Sequence, residues 1–385
     1  MRTATTPTHR HLDSVTRENL LELANFCDEH AHALSFYFSL ASIGDKSHKE
    51  EVITIKRLIQ EVSGKFAPEP TPATLSKDLE DILAVAEEIR LNPARLRVVF
   101  ACGEKAVWEE FDLPASRSIS RLQLGRHFHL LPLMAAMQTC EPYCVVLLET
   151  GKARAFIVRG TEIQEITSRL PLEDLSLHAE DSRVGWSSRI DKNLEEHEKA
   201  YFTRLSGQMR QFMAEQQSRW LVIGCREDLW GQVEEHFVDL ENNVLIGRFH
   251  LPNFAVCADE VFQVAKPIFE ESQRQRGVDL LREINENPSR GALGTSDVLQ
   301  SLAEGRAQKL VLGELPNQTI SECKACGRMR AEAGLNCSFC GSGDMRYMPA
   351  EEGLIRQALL TDAEILLVEP GMIPGFSGAA ALLRY

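Results

Sequence analysis

Four cysteines near the C-terminus, Cys323-Lys-Ala-Cys326 and Cys337-Ser-Phe-Cys340, fall into two pairs with ten residues between them. A two-residue gap lets both thiolates of a pair face one ion. Two such knuckles complete a tetrahedral Zn²⁺ shell and leave no position open for substrate. Gly327 and Gly341 follow the second cysteine of each pair, where a tight knuckle turn favours a residue that tolerates positive φ. The pattern predicts one structural zinc ion in a ribbon spanning 320–348. A redox pair or a structural disulfide would not explain two such pairs in one polar, Gly-rich stretch. A closed four-cysteine site takes the place of a core, so it marks a small module and does not name an activity.

At 385 residues the chain is too long for one ordinary core, and its length calls for about two to three domains. Its 44% hydrophobic and 25% charged residues are those of a soluble globular protein. No run approaches the length of a membrane span, and the start, Met1-Arg-Thr-Ala-Thr-Thr-Pro, lacks the apolar stretch of a signal peptide. A cytoplasmic location is expected. The other six cysteines are scattered singly, which suits a reducing compartment and indicates no disulfide framework. A net charge of −14 excludes a general coating role on nucleic acid, where non-specific affinity rests on summed positive charge.

Along the chain, apolar periodicity predicts helices over Thr16–Cys27, Lys49–Val62 and Leu75–Leu91, separated by a Pro-rich break at Phe66-Ala-Pro-Glu-Pro-Thr-Pro-Ala. Strands are predicted at Leu34–Leu40, Arg97–Cys102, Val107–Phe111 and Ser118–Leu124. A β-meander follows from Tyr143 to Ile166, then a polar loop over about Ser176–Ser188. After the loop comes a long amphipathic helix carrying Leu194, Tyr201, Phe202, Leu205, Met209 and Phe212. Trp220–Cys225 and Val244–Phe249 read as strands around a helix at Leu229–Phe237. A charged helical segment from Asp259 to about Asn287 carries an expected break near Gly277, and its Glu/Arg run reads as a solvated face. Thr295–Ala303, Lys309–Gly313, Glu351–Leu360, Glu364–Val368 and Ala379–Leu383 then alternate helix and strand around the cysteine-rich insertion, which is an α/β pattern.

The last unit carries a specific resemblance. Asp297-Val-Leu-Gln-Ser-Leu-Ala-Glu-Gly305, Ala307-Gln-Lys-Leu-Val-Leu-Gly-Glu314, the cysteine insertion and the ending Gly378-Ala-Ala-Ala-Leu-Leu-Arg-Tyr385 resemble the third domain of the archaeo-eukaryotic class-1 release factors and Pelota. The Tyr143 meander, the loop, the long helix and the Trp220 strand are similar to that family's second domain. The whole chain most resembles the family's bacterial branch. The resemblance implies three α/β domains. These are an N-terminal domain at 1–140, a ribonuclease-H-like second domain at 141–275, and an L7Ae-like α/β/α third domain at 276–385 that holds the zinc ribbon. It also implies the ribosome as partner, through rRNA and tRNA, with a translational GTPase as a further partner and neither membrane nor DNA.

In true release factors a Gly-Gly-Gln loop in the second domain places water against the peptidyl-tRNA ester. The corresponding stretch here is Arg183-Val-Gly-Trp-Ser-Ser-Arg189, where Gly185 matches one glycine, Val184 replaces another and Ser188 falls where related bacterial chains place a glutamine. The catalytic amide is missing, so no catalytic residue is assigned and a non-hydrolytic role is favoured. Gly185, Trp186, Ser188 and Arg189 remain a candidate ribosome or tRNA contact, with Trp186 and Arg189 able to stack on and pair with RNA. Ser206-Gly-Gln208 lies inside the amphipathic helix and reads as helix surface. The cluster Arg117, Arg121, Arg126, His127 and His129 is a candidate RNA contact, with Arg121 and Arg126 foremost, or else a strand edge with solvated cations and partly buried histidines. His9, His11, His30 and His32 have no zinc-like partners nearby in sequence and read as structural.

No Walker A loop, dinucleotide fingerprint, Gly-x-Ser-x-Gly elbow or His-Glu-x-x-His helix is present. Three readings stand: a factor for the A site of stalled or idle ribosomes, a hydrolase or RNA-cleaving enzyme with a variant loop, and an adaptor away from the ribosome.

Overall fold

The computed structural model describes residues 9–11, 15–39, 48–66, 70–88, 95–114, 119–149, 152–166, 187–237, 245–251, 253–331, 334, 336–373 and 376–385. The described strands pair into four sheets, and the chain divides into two compact units, Met1–Cys140 with Arg276–Tyr385, and Glu141–Gln275.

The first unit begins with β1 (His9–His11), α1 (Arg17–Asn25), β2 (Ala33–Ser39), α2 (His48–Ser63) and α3 (Ala73–Glu88). It continues through β3 (Arg95–Cys102), β4 (Val107–Pro114), β5 (Ser120–Gly125) and α4 (Leu131–Thr139). Thr16 caps α1 in a reciprocal box with Asn19, satisfying donors the helix start would leave orphaned. The five strands lie in the order β1-β4-β3-β2-β5. Strand alternation sorts the side chains of β2 between two faces. Leu34, Phe36 and Phe38 pack under α2 and α3 with Ile55, Leu75 and Ile82. Ala33 and Tyr37 face a different core, with Phe100, Phe111 and Leu133.

The second unit contains β6 (Tyr143–Glu149), β7 (Lys152–Arg159), β8 (Glu162–Glu165), α5 (Ser187–Glu215), β9 (Trp220–Cys225), α6 (Trp230–Phe237) and β10 (Leu245–His250), with α7 (Ala258–Glu286) up to Gln275. Its sheet order is β10-β9-β6-β7-β8. β6, β7 and β8 are the antiparallel meander, and β9 and β10 add in parallel. The central strand β6 is buried along nearly its whole length, as a strand covered on both faces should be. On one face Val146, Ile157 and Ile223 meet Phe202, Leu205 and Met209 of α5. On the other, Val145, Phe156 and Val222 meet Val261, Ala265 and Phe269 of α7, where the Tyr143 and Phe269 rings stack at 4.4 Å.

From Arg276 the chain returns to the first unit with β11 (Gly291–Leu293), α8 (Gly294–Ala303), β12 (Ala307–Leu312), β13 (Thr319–Cys323), β14 (Met329–Arg330), β15 (Met345–Pro349), α9 (Ala350–Leu360), β16 (Glu364–Leu367) and β17 (Ala379–Leu383). β11, β17, β12 and β16 form a four-stranded sheet in that order, and β14-β13-β15 form the ribbon. Val298, Leu302, Leu354 and Ala358 of α8 and α9 belong to the same apolar cluster as Tyr37, Phe100 and Leu133. The N-terminal and C-terminal segments of the first unit therefore share a core.

The expected break near Gly277 is absent, because α7 runs unbroken from Ala258 to Glu286. Gly277 instead permits a close approach: a Cβ there would stand 2.8 Å from Cδ1 of Ile373. The glycine serves packing and not a bend.

Candidate functional site

The ribbon is built from β13 outward. Strand pairing of Thr319–Cys323 with β15 delivers Cys323 to the first knuckle, where the Gly327 N–H donates to Cys323 O at 2.8 Å. The second knuckle repeats this, with Gly341 N–H donating to Cys337 O at 2.9 Å. Both glycines have positive φ, +72° and +77°, as the knuckle chemistry requires. The four sulfurs converge within 4.8 Å of one another. Cys323 Sγ lies 3.5 Å from Cys340 Sγ and Cys326 Sγ 3.7 Å from Cys337 Sγ. Zn–S bonds of about 2.3 Å in a tetrahedron imply S···S edges of about 3.8 Å, so the donor set fits zinc. Backbone N–H groups of Cys340 and Phe339 pull the Cys337 thiol down, while its hydrogen bond with Cys323 pushes the Cys340 thiol up; a bound metal would displace the protons the four sulfurs share.

Beside the ribbon lies a buried polar network that sequence reasoning missed. Glu322, on β13, receives Arg346 Nε at 2.6 Å and Arg356 NH1 at 3.1 Å, and His127 Nε2 stands 3.5 Å from it. Burial alone would raise this carboxyl, but hydrogen bonds from His127 and Arg346 and the nearby Arg356 charge reverse that and hold it at about 2. Both arginines reach α1 and its C-terminal turn. Arg356 donates to Ala24 O at 2.6 Å and Arg346 to Cys27 Sγ at 2.9 Å. Glu352 accepts from Leu130 N and Leu131 N at 2.8 and 3.2 Å, capping the start of α4, and pairs with His129. Gln138 exchanges two hydrogen bonds with Leu367.

This network settles where part of the basic cluster lies. His127 and His129 are half-buried and turned toward Glu322 and Glu352. Arg121 is exposed on β5, an edge of its sheet, and Arg126 is half-buried with its carbonyl accepting from Asp28 N at 2.8 Å. Arg117, Gly185 and Trp186 lie outside the described residues. Ser188 and Arg189, expected on the polar loop, fall in the first turn of α5. Gln208 is half-buried in the middle of that helix. His9 and His11 form β1, and His30 and His32 both meet Glu104. No described helix is long and apolar enough to cross a membrane.

Residues 129–270, a little over a third of the chain, match the model of bacterial archaeo-eukaryotic release factor family 10. Over that stretch the protein is release-factor-like. No curated protein matches. Among solved structures, the archaeal translation termination factor aRF1 aligns at 14% identity over 96% of this chain and 99% of its own, with a TM-score of 0.26. Pelota of Archaeoglobus fulgidus aligns at 13% identity over 96% and 92%, with a TM-score of 0.32. S. cerevisiae Dom34, a translation termination-like factor involved in RNA quality control pathways and interacting with Hbs1, aligns at 9% identity over 96% and 93%, with a TM-score of 0.39.

Proposed function

We propose that this protein is a cytoplasmic ribosome-binding factor that enters the A site of stalled or idle ribosomes, in rescue or hibernation, without hydrolysing peptidyl-tRNA. The observation that carries it is the family match over 129–270, together with a segment before and into α5, Arg183-Val-Gly-Trp-Ser-Ser-Arg189, that holds no glutamine. Without that amide the segment lacks the side chain that, in release factors, places water against the ester.

The same reading divides the chain into domains at 1–140, 141–275 and 276–385. The strand order of the second unit, three antiparallel strands followed by two in parallel on the other side of the first, supports a ribonuclease-H-like second domain. A mixed sheet covered by α8 and α9 on one face and by the end of α7 on the other supports an L7Ae-like third domain. The cysteine geometry supports one structural Zn²⁺ at Cys323, Cys326, Cys337 and Cys340. Gly185, Trp186, Ser188 and Arg189, with Arg121 and Arg126, are the proposed contacts to rRNA and tRNA, and a translational GTPase is the proposed delivery partner.

Competition tests the reading. Ribosomes with a tRNA already in the A site should fail to bind the protein, whereas ribosomes with a vacant A site should bind it; equal binding to both removes the A-site assignment. A peptidyl-tRNA release assay should give background rates for wild type, Trp186→Ala and Arg189→Ala alike. Release above background that either substitution abolishes would instead establish an enzyme.

A further inference from the structure

A second cluster of metal-ligating side chains lies at one end of the N-terminal sheet, in the first unit. The turn between α1 and β2 carries Asp28, His30 and His32, and the 3₁₀ turn Gly103–Lys105 between β3 and β4 carries Glu104. Antiparallel pairing of β2 with β3, Leu34 opposite Ala101, brings the two turns together although more than 70 residues separate them in sequence. Asp28, His32 and Glu104 each place one donor atom within 4.8 Å of the others.

Ligands about 2.1 Å from one ion stand at most about 4.2 Å apart, and about 3 Å apart when cis in an octahedron. His32 Nδ1 and Glu104 Oε1 are 2.8 Å apart, so that edge is already in place, and the Asp28 donor, within 4.8 Å of both, draws in to complete the set. Asp28 is 1% exposed, and among the described residues its side chain accepts a single hydrogen bond, from His32 N at 2.8 Å. Burying a carboxylate with one neutral donor is costly. Holding a second carboxylate beside it adds repulsion.

A divalent cation relieves both costs. An imidazolium at His32 would relieve them in part, and a metal titration separates the two accounts.

We propose that Asp28, His32 and Glu104 form a divalent-cation site, with His30 as an orienting partner. His30 Nδ1 lies 3.1 Å from Glu104 Oε2 on a ring that is 71% exposed, which suits a group that holds the ligand from outside the ion's shell. One imidazole and two carboxylates favour Mn²⁺, Fe²⁺ or Zn²⁺ over the soft ions that thiolates select. The Glu104 side chain is 28% exposed, so the ion would keep a solvent-facing side where water or an anionic oxygen could bind.

The test uses the full chain with its cysteine site already loaded with zinc, titrated with Mn²⁺ and followed by the loss of the free-ion EPR signal. One equivalent of Mn²⁺ should bind. Glu104→Gln and His32→Gln, each with wild-type circular dichroism, should weaken it by about tenfold or more, and His30→Gln by less. Absence of stoichiometric binding, or wild-type affinity in both ligand variants, overturns the proposal. Should a variant fail to fold, pulsed EPR on the wild type still decides: nitrogen modulation from a directly bound imidazole is expected, and a bound ion without it refutes the assignment.

Discussion

Glu322→Gln isolates the network beside the ribbon. The Glu322 side chain is 3% exposed and takes two arginines. Its carboxyl is held at about 2 against an ordinary 4.5. At about 1.4 kcal/mol per pH unit, that depression corresponds to about 3 kcal/mol of folding stability. Because the folded-state value is lowered, the contribution is fully present above about pH 4.5 and is lost as pH falls toward 2.

Glutamine keeps the shape but removes the charge, and it leaves the half-buried Arg346 and Arg356 without their counter-ion. Urea unfolding of wild type and Glu322→Gln, followed by circular dichroism, should show a gap of about 3 kcal/mol at pH 7. At pH 3 the gap should narrow to about 1 kcal/mol, since only one pH unit then separates the solution from the folded-state value. A gap independent of pH, or no gap at pH 7, would refute the linkage between this carboxylate and the fold.

Removing metal with a chelator, or Cys323→Ser with Cys326→Ser, should raise hydrogen exchange across β13, β14 and β15 while the sheet of residues 141–275 keeps its protection; uniform loss of protection in both units would argue that the cysteine site is not a local staple. Gly291→Ala should lower stability by about 1–3 kcal/mol in thermal unfolding, because the new Cβ would stand 2.5 Å from the carbonyl oxygen of Ile284. A neutral result would mean that β11 shifts freely.

Most of the secondary structure could be read from the sequence because its signals are local. The apolar stripe on α5, the alternation along β2 and the cysteine knuckles each declare themselves within one element. What stayed hidden depends on distant residues. α4, Leu-Pro-Leu-Met-Ala-Ala-Met-Gln-Thr, is apolar nearly all round and so shows no helical period, and its N-terminal donors are met by Glu352, more than 200 residues away. β1 is three residues long and exists through parallel pairing with β4. Gly277 carries the residue type of a helix break, yet the space it vacates is filled by Ile373. Likewise, nothing near His32 in sequence announces Glu104, and nothing near His127 announces Glu322. Charged partners gathered by tertiary packing leave no periodic trace.

The central claim, action on the ribosome, is tested most directly by co-sedimenting the purified protein with ribosomes across a salt series, alongside the Cys323→Ser/Cys326→Ser variant. Saturable binding to idle or stalled ribosomes is expected, weakening steeply as salt rises, as contacts to RNA phosphates require. Absence of binding at low salt to both vacant and stalled ribosomes would contradict it.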